Sequence, residues 1–261
     1  MDKYQILDRI GSGSFGSVYR GIHKRTNEYV AIKIEPLNNE IKMLKNEAIV
    51  YQYLKGNQGI PFVRWFGKDE LNHYMVIDLL GDSLETLKQA RGSFSLELTI
   101  FIGIQAIKLL SIIHDKQLVH RDIKPSNFLV DSRNNNLYII DFGFCKSYIS
   151  NGKHIAMKKT NSLIGSINYA SVNSHDLKGS SRRDDLESLG YLMLYLYRGN
   201  LKWQADGYNA DMVRTMKLHV EDDKENPRIL LQFISSIRQL GFDERPIYSV
   251  YIDRLDLEKK T

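Results

Sequence analysis

His120-Arg121-Asp122-Ile123-Lys124-Pro125-Ser126-Asn127 decides the reading of this chain. The pattern is H-R-D-x-x-x-x-N, and its spacing suits one chemistry. Moving a phosphoryl group onto a hydroxyl requires a carboxylate beside the attacking oxygen, and Asp122 can supply it. It also requires an oxygen ligand for the metal that accompanies a nucleotide, and the side-chain carbonyl of Asn127 can be that ligand. One short loop can aim both groups at the same point. Lys124 lies on the same face as Asp122 and could neutralise charge on the moving phosphate. Taken alone, Lys-Pro-Ser-Asn is also ordinary turn chemistry, so the reading depends on what flanks it.

Upstream, Gly11-Ser12-Gly13-Ser14-Phe15-Gly16-Ser17-Val18 has the G-x-G-x-x-G spacing. Dinucleotide-binding folds use the same spacing, but there the glycines open a helix. Here Val18-Tyr19-Arg20 reads as a strand, from its β-branched and aromatic residues. Strand, glycine turn and strand make a hairpin lid whose backbone N–H groups can approach phosphate oxygens unobstructed.

Val30-Ala31-Ile32-Lys33 is a short apolar strand bearing one lysine. It could be an edge strand with its lysine in water. A buried lysine needs a partner, and residues 39 to 55 offer a helix, with Ile41, Leu44, Ala48 and Tyr51 at three- and four-residue steps. Glu47 is the favoured partner. Glu40 is the rival, but at the helix start a carboxylate already suits the dipole. The pair would hold Lys33 against the α- and β-phosphates. Asp141-Phe142-Gly143 follows the strand-like Leu137-Ile140, and an aspartate at a strand end is placed to bind Mg²⁺ through oxygen. Together the four blocks resemble the catalytic elements of a protein kinase, in order.

The chain has 261 residues, 43% of them hydrophobic, enough for one large domain or two small lobes. Its net charge of +5 suits anionic ligands such as nucleotide and acidic peptide. No aromatic-basic platform for nucleic acid is evident. Cys145 is the only cysteine, so no internal disulfide can form, and a small core residue is the expected role. This suits a reducing compartment, and the expected location is cytoplasmic and/or nuclear. The N-terminus lacks the regions of a signal peptide, and Tyr191–Tyr197 is too short to span a bilayer. No histidine spacing suggests zinc. A monomer without a membrane partner is expected.

Residues 1–78 read as strands with one helix, and 79–83 as a connector pivoting on Gly81. Residues 84–261 read as mostly helical, with a long helix over 95–116, a short strand over 137–140, a polar, mobile segment over 146–168 and helices resuming near Ser181. The expectation is a single α+β domain with a β-rich lobe and a helical lobe around a cleft. Adenine would meet the hinge backbone at Asp78 and Leu80, with Ile77 behind it. The nucleotide-binding set on this reading is Ile10, Gly11, Gly13, Gly16, Val18, Ala31, Lys33, Ile77, Asp78 and Leu80. The catalytic set is Asp122, Lys124, Lys33 and Glu47, and the metal ligands are Asn127 and Asp141.

Ser181-Arg182-Arg183-Asp184-Asp185-Leu186-Glu187-Ser188-Leu189-Gly190-Tyr191 narrows the resemblance further. So do Asp122–Leu129 (D-I-K-P-S-N-F-L) and Ser171-Val172-Asn173, which stands where most protein kinases carry A-P-E. Over residues 4 to about 252 the chain resembles casein kinase I. The resemblance implies a bilobal kinase fold, ATP with Mg²⁺ as cofactors, and phosphorylation of serine or threonine in acidic protein contexts. It implies that Asp185 anchors the catalytic-loop backbone, although Asp184 and Asp185 also suit helix N-capping. Ser166 stands where the family has a threonine that contacts the catalytic aspartate.

The chain departs from the family in three places. Asn168 replaces an arginine that helps bind acidic or phosphorylated substrate. Residues 204–226 diverge. The chain stops at Thr261 without the family's regulatory tail, which reads as a compact member. Lys153, Lys158, Lys159, Arg182 and Arg183 are the remaining basic candidates for substrate. The alternatives are a pseudokinase-like scaffold and a small-molecule phosphotransferase. The scaffold usually loses Lys33, Asp122 or Asp141. The phosphotransferase should lack the S-R-R-D-D-L-E-S helix.

Overall fold

The computed structural model describes residues 1–13, 16–39, 42–131 and 136–258. They fall into two compact units, Met1–Asp82 with Leu129–Phe144, and Ser83–Phe128 with Cys145–Thr261.

The first unit is built on β1 (Tyr4–Gly13), β2 (Gly16–His23), β3 (Tyr29–Pro36), β4 (Val63–Lys68) and β5 (Asn72–Asp78). They form one antiparallel sheet in the order β1-β2-β3-β5-β4. The central strand β3 alternates as a strand must. Val30 and Ile32 pack with Tyr74 and Val76, and Ile34 and Trp65 close the edges of that cluster. Lys33 and Glu35 point to the opposite face, where both bond to α1 (Leu44–Tyr53) or the residue before it.

The predicted helix over 39–55 is shorter than expected, because Glu35 fixes where it begins. This buried carboxylate accepts the Met43 N–H at 2.8 Å and the Leu44 N–H at 3.1 Å through one oxygen. Those are donors that a helix start leaves unpaired. Ile41 and Glu40 lie outside the described residues, as do Ser14 and Phe15 of the glycine turn. Gly81 is not among the described glycines with positive φ, so the connector turns without needing the freedom that only glycine has.

The second unit opens with α2 (Leu84–Arg91) and α3 (Leu96–Asp115), capped by the hydroxyls of Ser83 and Ser95. Among the described residues α3 is the one helix long and apolar enough to cross a membrane. Here Ile100, Ala106, Ile107, Leu110 and Ile113 are fully buried, and the helix packs on α5 and α8. The rest of the unit is α4 (Val172–His175), α5 (Arg182–Arg198), α6 (Ala210–Leu218), α7 (Arg228–Arg238) and α8 (Tyr248–Glu258).

The segment 146–168, expected to be a mobile loop, is tied down along much of its length. Lys146–Ser147 pairs with Leu118–Val119. Ile149–Ser150 pairs with Lys153–His154 around Asn151 and Gly152, both at positive φ as a two-residue hairpin turn of type I′ requires. Thr160 N–H donates to Leu177 O, and Gly179 N–H to Lys158 O, each at 2.8 Å. Helix also resumes earlier than Ser181, at α4.

Candidate catalytic site

In the first unit, strand register gathers most of the expected nucleotide-binding residues. Val18 lies opposite Gly11 on one side and Lys33 on the other, Ala31 opposite Ile77, and Val30 opposite Asp78. Ala31 and Ile77 are buried, Val18 is half-buried, and Ile10 is exposed. Gly13 pairs with Gly16 where the hairpin turns. A side chain at Gly16 would collide with the Ile34 carbonyl oxygen, so the close approach of β2 to β3 requires glycine there. Asp78 N–H already donates to Phe62 O at 3.2 Å, and its carboxylate holds Phe62 N–H and Arg64. Leu80, two residues on, is half-buried.

Lys33 sits between two carboxylates. Its Nζ is 2.6 Å from Glu47 Oε2 and 3.0 Å from Asp141 Oδ1. Burial alone would lower the lysine's pKa, but Glu47 and Asp141 outweigh burial and hold it above its ordinary value. Burial pushes Glu47 up, with Lys33 opposing. Asp141 adopts a left-handed backbone, φ 68°, which aspartate tolerates better than most residues. Tyr51 of α1 accepts the Asp141 N–H at 3.2 Å and meets the Phe142 ring edge-on. The same helix therefore supplies both the lysine's partner and a fixed seat for Asp141.

In the second unit, Lys124 and Asn127 from its own loop and Ser166 from 44 residues on donate to Asp122. Lys124 Nζ donates to Oδ2 at 2.6 Å. Ser166 donates to Oδ1 twice, from its backbone N–H at 3.0 Å and its hydroxyl at 2.8 Å. Asn127 Nδ2 donates to the Asp122 carbonyl at 2.8 Å and to Oδ2 at 3.3 Å, so its Oδ1 is the atom it can offer a cation. Pro125–Asn127 forms a short 3-10 turn that brings Asn127 back to Asp122.

Asp185 anchors this loop from α5. Its carboxylate accepts His120 N–H at 2.7 Å, Arg121 N–H at 2.8 Å and His114 Nε2 at 3.0 Å. Asp184, by contrast, caps α5 by accepting Ser181 N–H at 2.7 Å and the Ser171 hydroxyl at 2.6 Å. Burial alone would raise the Asp185 pKa, but its bonds to His114 and the loop hold it below the usual range. A depressed native pKa gives stability that is present above the unfolded value of about 3.9 and lost as pH falls through the native one. Asp185→Asn should therefore cost about 3 kcal/mol at neutral pH. It should also flatten the loss of stability below about pH 4, read by urea unfolding at stepped pH.

Gly165 was not singled out in the sequence. Its φ is +92°, and a side chain there would collide with the Arg121 carbonyl oxygen. A lone glycine beside Ser166 was the available signal. Glu35 and Tyr51 were also missed as site residues, because nothing in their spacing tells a capping or seating role from core.

Arg182 and Arg183, counted among the basic candidates for substrate, are engaged within the fold. Arg182 is buried, lies over the Tyr148 ring at 4.4 Å and donates to Asp243 O. Arg183 donates to Leu240 O and lies over Phe242. At the first turn of α5 both side chains fold back to hold the loop after α7. Cys145 is buried, and burial pushes its thiol up to about 12, as suits a core residue.

Residues 4–249 match the protein kinase domain family. Casein kinase I homolog 2 of Schizosaccharomyces pombe is 38% identical over 270 aligned residues, covering 97% of this chain and 62% of the relative. Casein kinase I homolog RAG8 of Kluyveromyces lactis is 38% identical over 263 residues, covering 95% of this chain and 49% of the relative. The chain thus spans about half to three fifths of the length of these curated relatives.

Proposed function

Because the chain belongs to the protein kinase family, in its casein kinase I branch, we propose that it transfers the γ-phosphate of Mg-ATP to serine and threonine hydroxyls of protein substrates. The observation that carries this reading is the setting of Asp122. A buried carboxylate is fixed by Lys124 on one oxygen and Ser166 on the other. It can orient an acceptor hydroxyl and take its proton as the oxygen attacks. Lys124, already on Oδ2, brings positive charge to the place where phosphate charge builds.

Among the described residues no cluster of three or more His, Cys, Asp or Glu side chains could hold a metal unaided. Asp141 and Asn127 each offer an oxygen of the kind that a hard cation takes alongside phosphate and water. Mg-ATP, when bound, supplies the phosphoryl group and neutralises its charge. Lys33, held by Glu47, would position the α- and β-phosphates. The carbonyl of Asp78 and the backbone of Leu80 would meet adenine. A silent scaffold has no observation in its favour, since Lys33, Asp122 and Asp141 are all present with their partners.

Acidic sequence around the target is the substrate context we assign. Lys153, Lys158 and Lys159 are exposed, and Lys159 faces Lys178 across a β-bridge. Charge of one sign near a site steers the opposite sign toward it. Asparagine at 168 lacks the forked, charged grip that arginine has on phosphate. The test is a peptide kinase assay, with one acidic peptide offered with and without an upstream phosphoserine. Transfer to serine or threonine is expected, with a small phosphoserine bonus that grows in Asn168→Arg. A strong wild-type bonus that Asn168→Arg leaves unchanged would assign phosphate recognition to another site. Absence of transfer to any peptide would overturn the kinase reading itself.

A further inference from the structure

Lys217 of α6 is fully buried, yet among the described residues no carboxylate lies within salt-bridge distance of its Nζ. Instead, Nζ donates to Ile167 O at 2.8 Å and to Ala170 O at 2.7 Å. It also lies 3.2 Å from His175 Nε2, over the Tyr191 ring at 4.7 Å and over the Trp203 ring at 5.6 Å. Burying an ammonium is costly unless every N–H finds a partner. Two carbonyls, an imidazole nitrogen and two ring faces line the amine, whose pKa burial holds well below its ordinary value with Glu187 opposing.

What the cage grips is the segment that starts at Ser166. Ser166 O accepts Tyr169 N–H at 2.9 Å and Ala170 N–H at 2.8 Å, closing a tight turn. Trp203 Nε1 donates to Asn168 O at 2.8 Å. The carbonyls of 166, 167, 168 and 170 are thus all held, three of them by Lys217 and Trp203. The other end of the turn is Ser166, with two bonds to Asp122. Lys217 is itself braced: Arg238 donates to the Lys217 carbonyl at 2.7 Å and to Glu187 at 3.1 Å.

We propose that Lys217, assisted by Trp203, is a positioning residue for the acceptor: it fixes the turn 166–170 and through Ser166 the aim of Asp122 at the incoming hydroxyl. The inference rests on the kinase reading above, and part of its test does not. It separates two functions that a merely structural lysine would lose together, peptide use and nucleotide use. Methionine is close to lysine in length and volume, but it takes the N–H donors away from the Ile167 and Ala170 carbonyls. Lys217→Met therefore removes the grip without a large cavity.

The experiment compares wild type with Lys217→Met, Lys217→Gln and Trp203→Phe in the full chain. The expected result is a fall of about tenfold or more in kcat/KM for an acidic serine peptide in Lys217→Met. KM for ATP should stay within about twofold, and the melting temperature should fall by several degrees at most, since two carbonyls lose their donor. Lys217→Gln, which keeps two N–H donors, should lie between wild type and Lys217→Met. Trp203→Phe should lose about threefold on the peptide alone. Amide hydrogen exchange at Tyr169 and Ala170 should rise in Lys217→Met, a readout that needs no transfer activity. Unchanged exchange there, or peptide kcat/KM within twofold of wild type, overturns the proposal. Equal losses on peptide and nucleotide overturn it too. If neither Lys217 variant folds, Lys217 is a folding residue and the proposal is wrong.

Discussion

Asp122→Asn should lower kcat about a hundredfold or more while leaving ATP affinity little changed. The substitution keeps volume but replaces one carboxylate oxygen with an N–H₂ group. That group must face either Lys124 or the two donors of Ser166. A donor set against donors leaves one of them unpaired, so the variant loses both the proton acceptor and part of its orientation. Single-turnover transfer to a peptide, beside nucleotide titration, separates the two effects. Near-normal turnover would remove Asp122 from the chemistry.

Lys33→Met should reduce kcat/KM for ATP by a comparable factor, because the ammonium proposed to hold the α- and β-phosphates is gone. Its effect on stability is separable. Without Lys33, Glu47 remains buried beside Asp141 with no cation between them. Removing one partner of a buried pair typically costs about 3–5 kcal/mol. Adding Glu47→Gln to Lys33→Met should recover part of that stability and none of the activity. A double variant no more stable than Lys33→Met would mean that the pair does not act as a buried charge couple. Urea unfolding of the four proteins of the cycle measures it.

The parts of the site that were legible in the sequence are those whose chemistry demands a residue type at a fixed spacing. His120–Asn127 and Asp141–Gly143 are of this kind, as is Lys33 with Glu47 fourteen positions later. The α+β division was legible because the hydrophobic period changes from strand to helix after the connector. What could not be read is anything set by where a side chain turns back on its own backbone. Nothing in its spacing marks Glu35, yet it ends the approach to α1 by accepting two N–H groups. Arg182 and Arg183 looked like surface charge, because sequence does not reveal the carbonyls of Asp243 and Leu240 that they reach. The polar composition of 146–168 suggested mobility, but its pairing partners at 118–119 and 177–179 are distant in sequence. Lys217 sat in a stretch with no motif, and only three-dimensional packing brings two carbonyls and two rings around it.

The single buried thiol has a practical consequence. At neutral pH, Cys145 is neither accessible nor ionised, because burial has pushed its pKa up to about 12. Alkylating reagents require the thiolate. The folded chain thus presents a chemically blank surface to maleimides and spin labels, and a cysteine introduced at an exposed position such as Lys159 or Ile247 would be the single reactive handle. Fluorescent or paramagnetic reporters can be placed one at a time without first replacing a native residue, and any slow labelling of Cys145 would act as an internal clock for transient opening of the core.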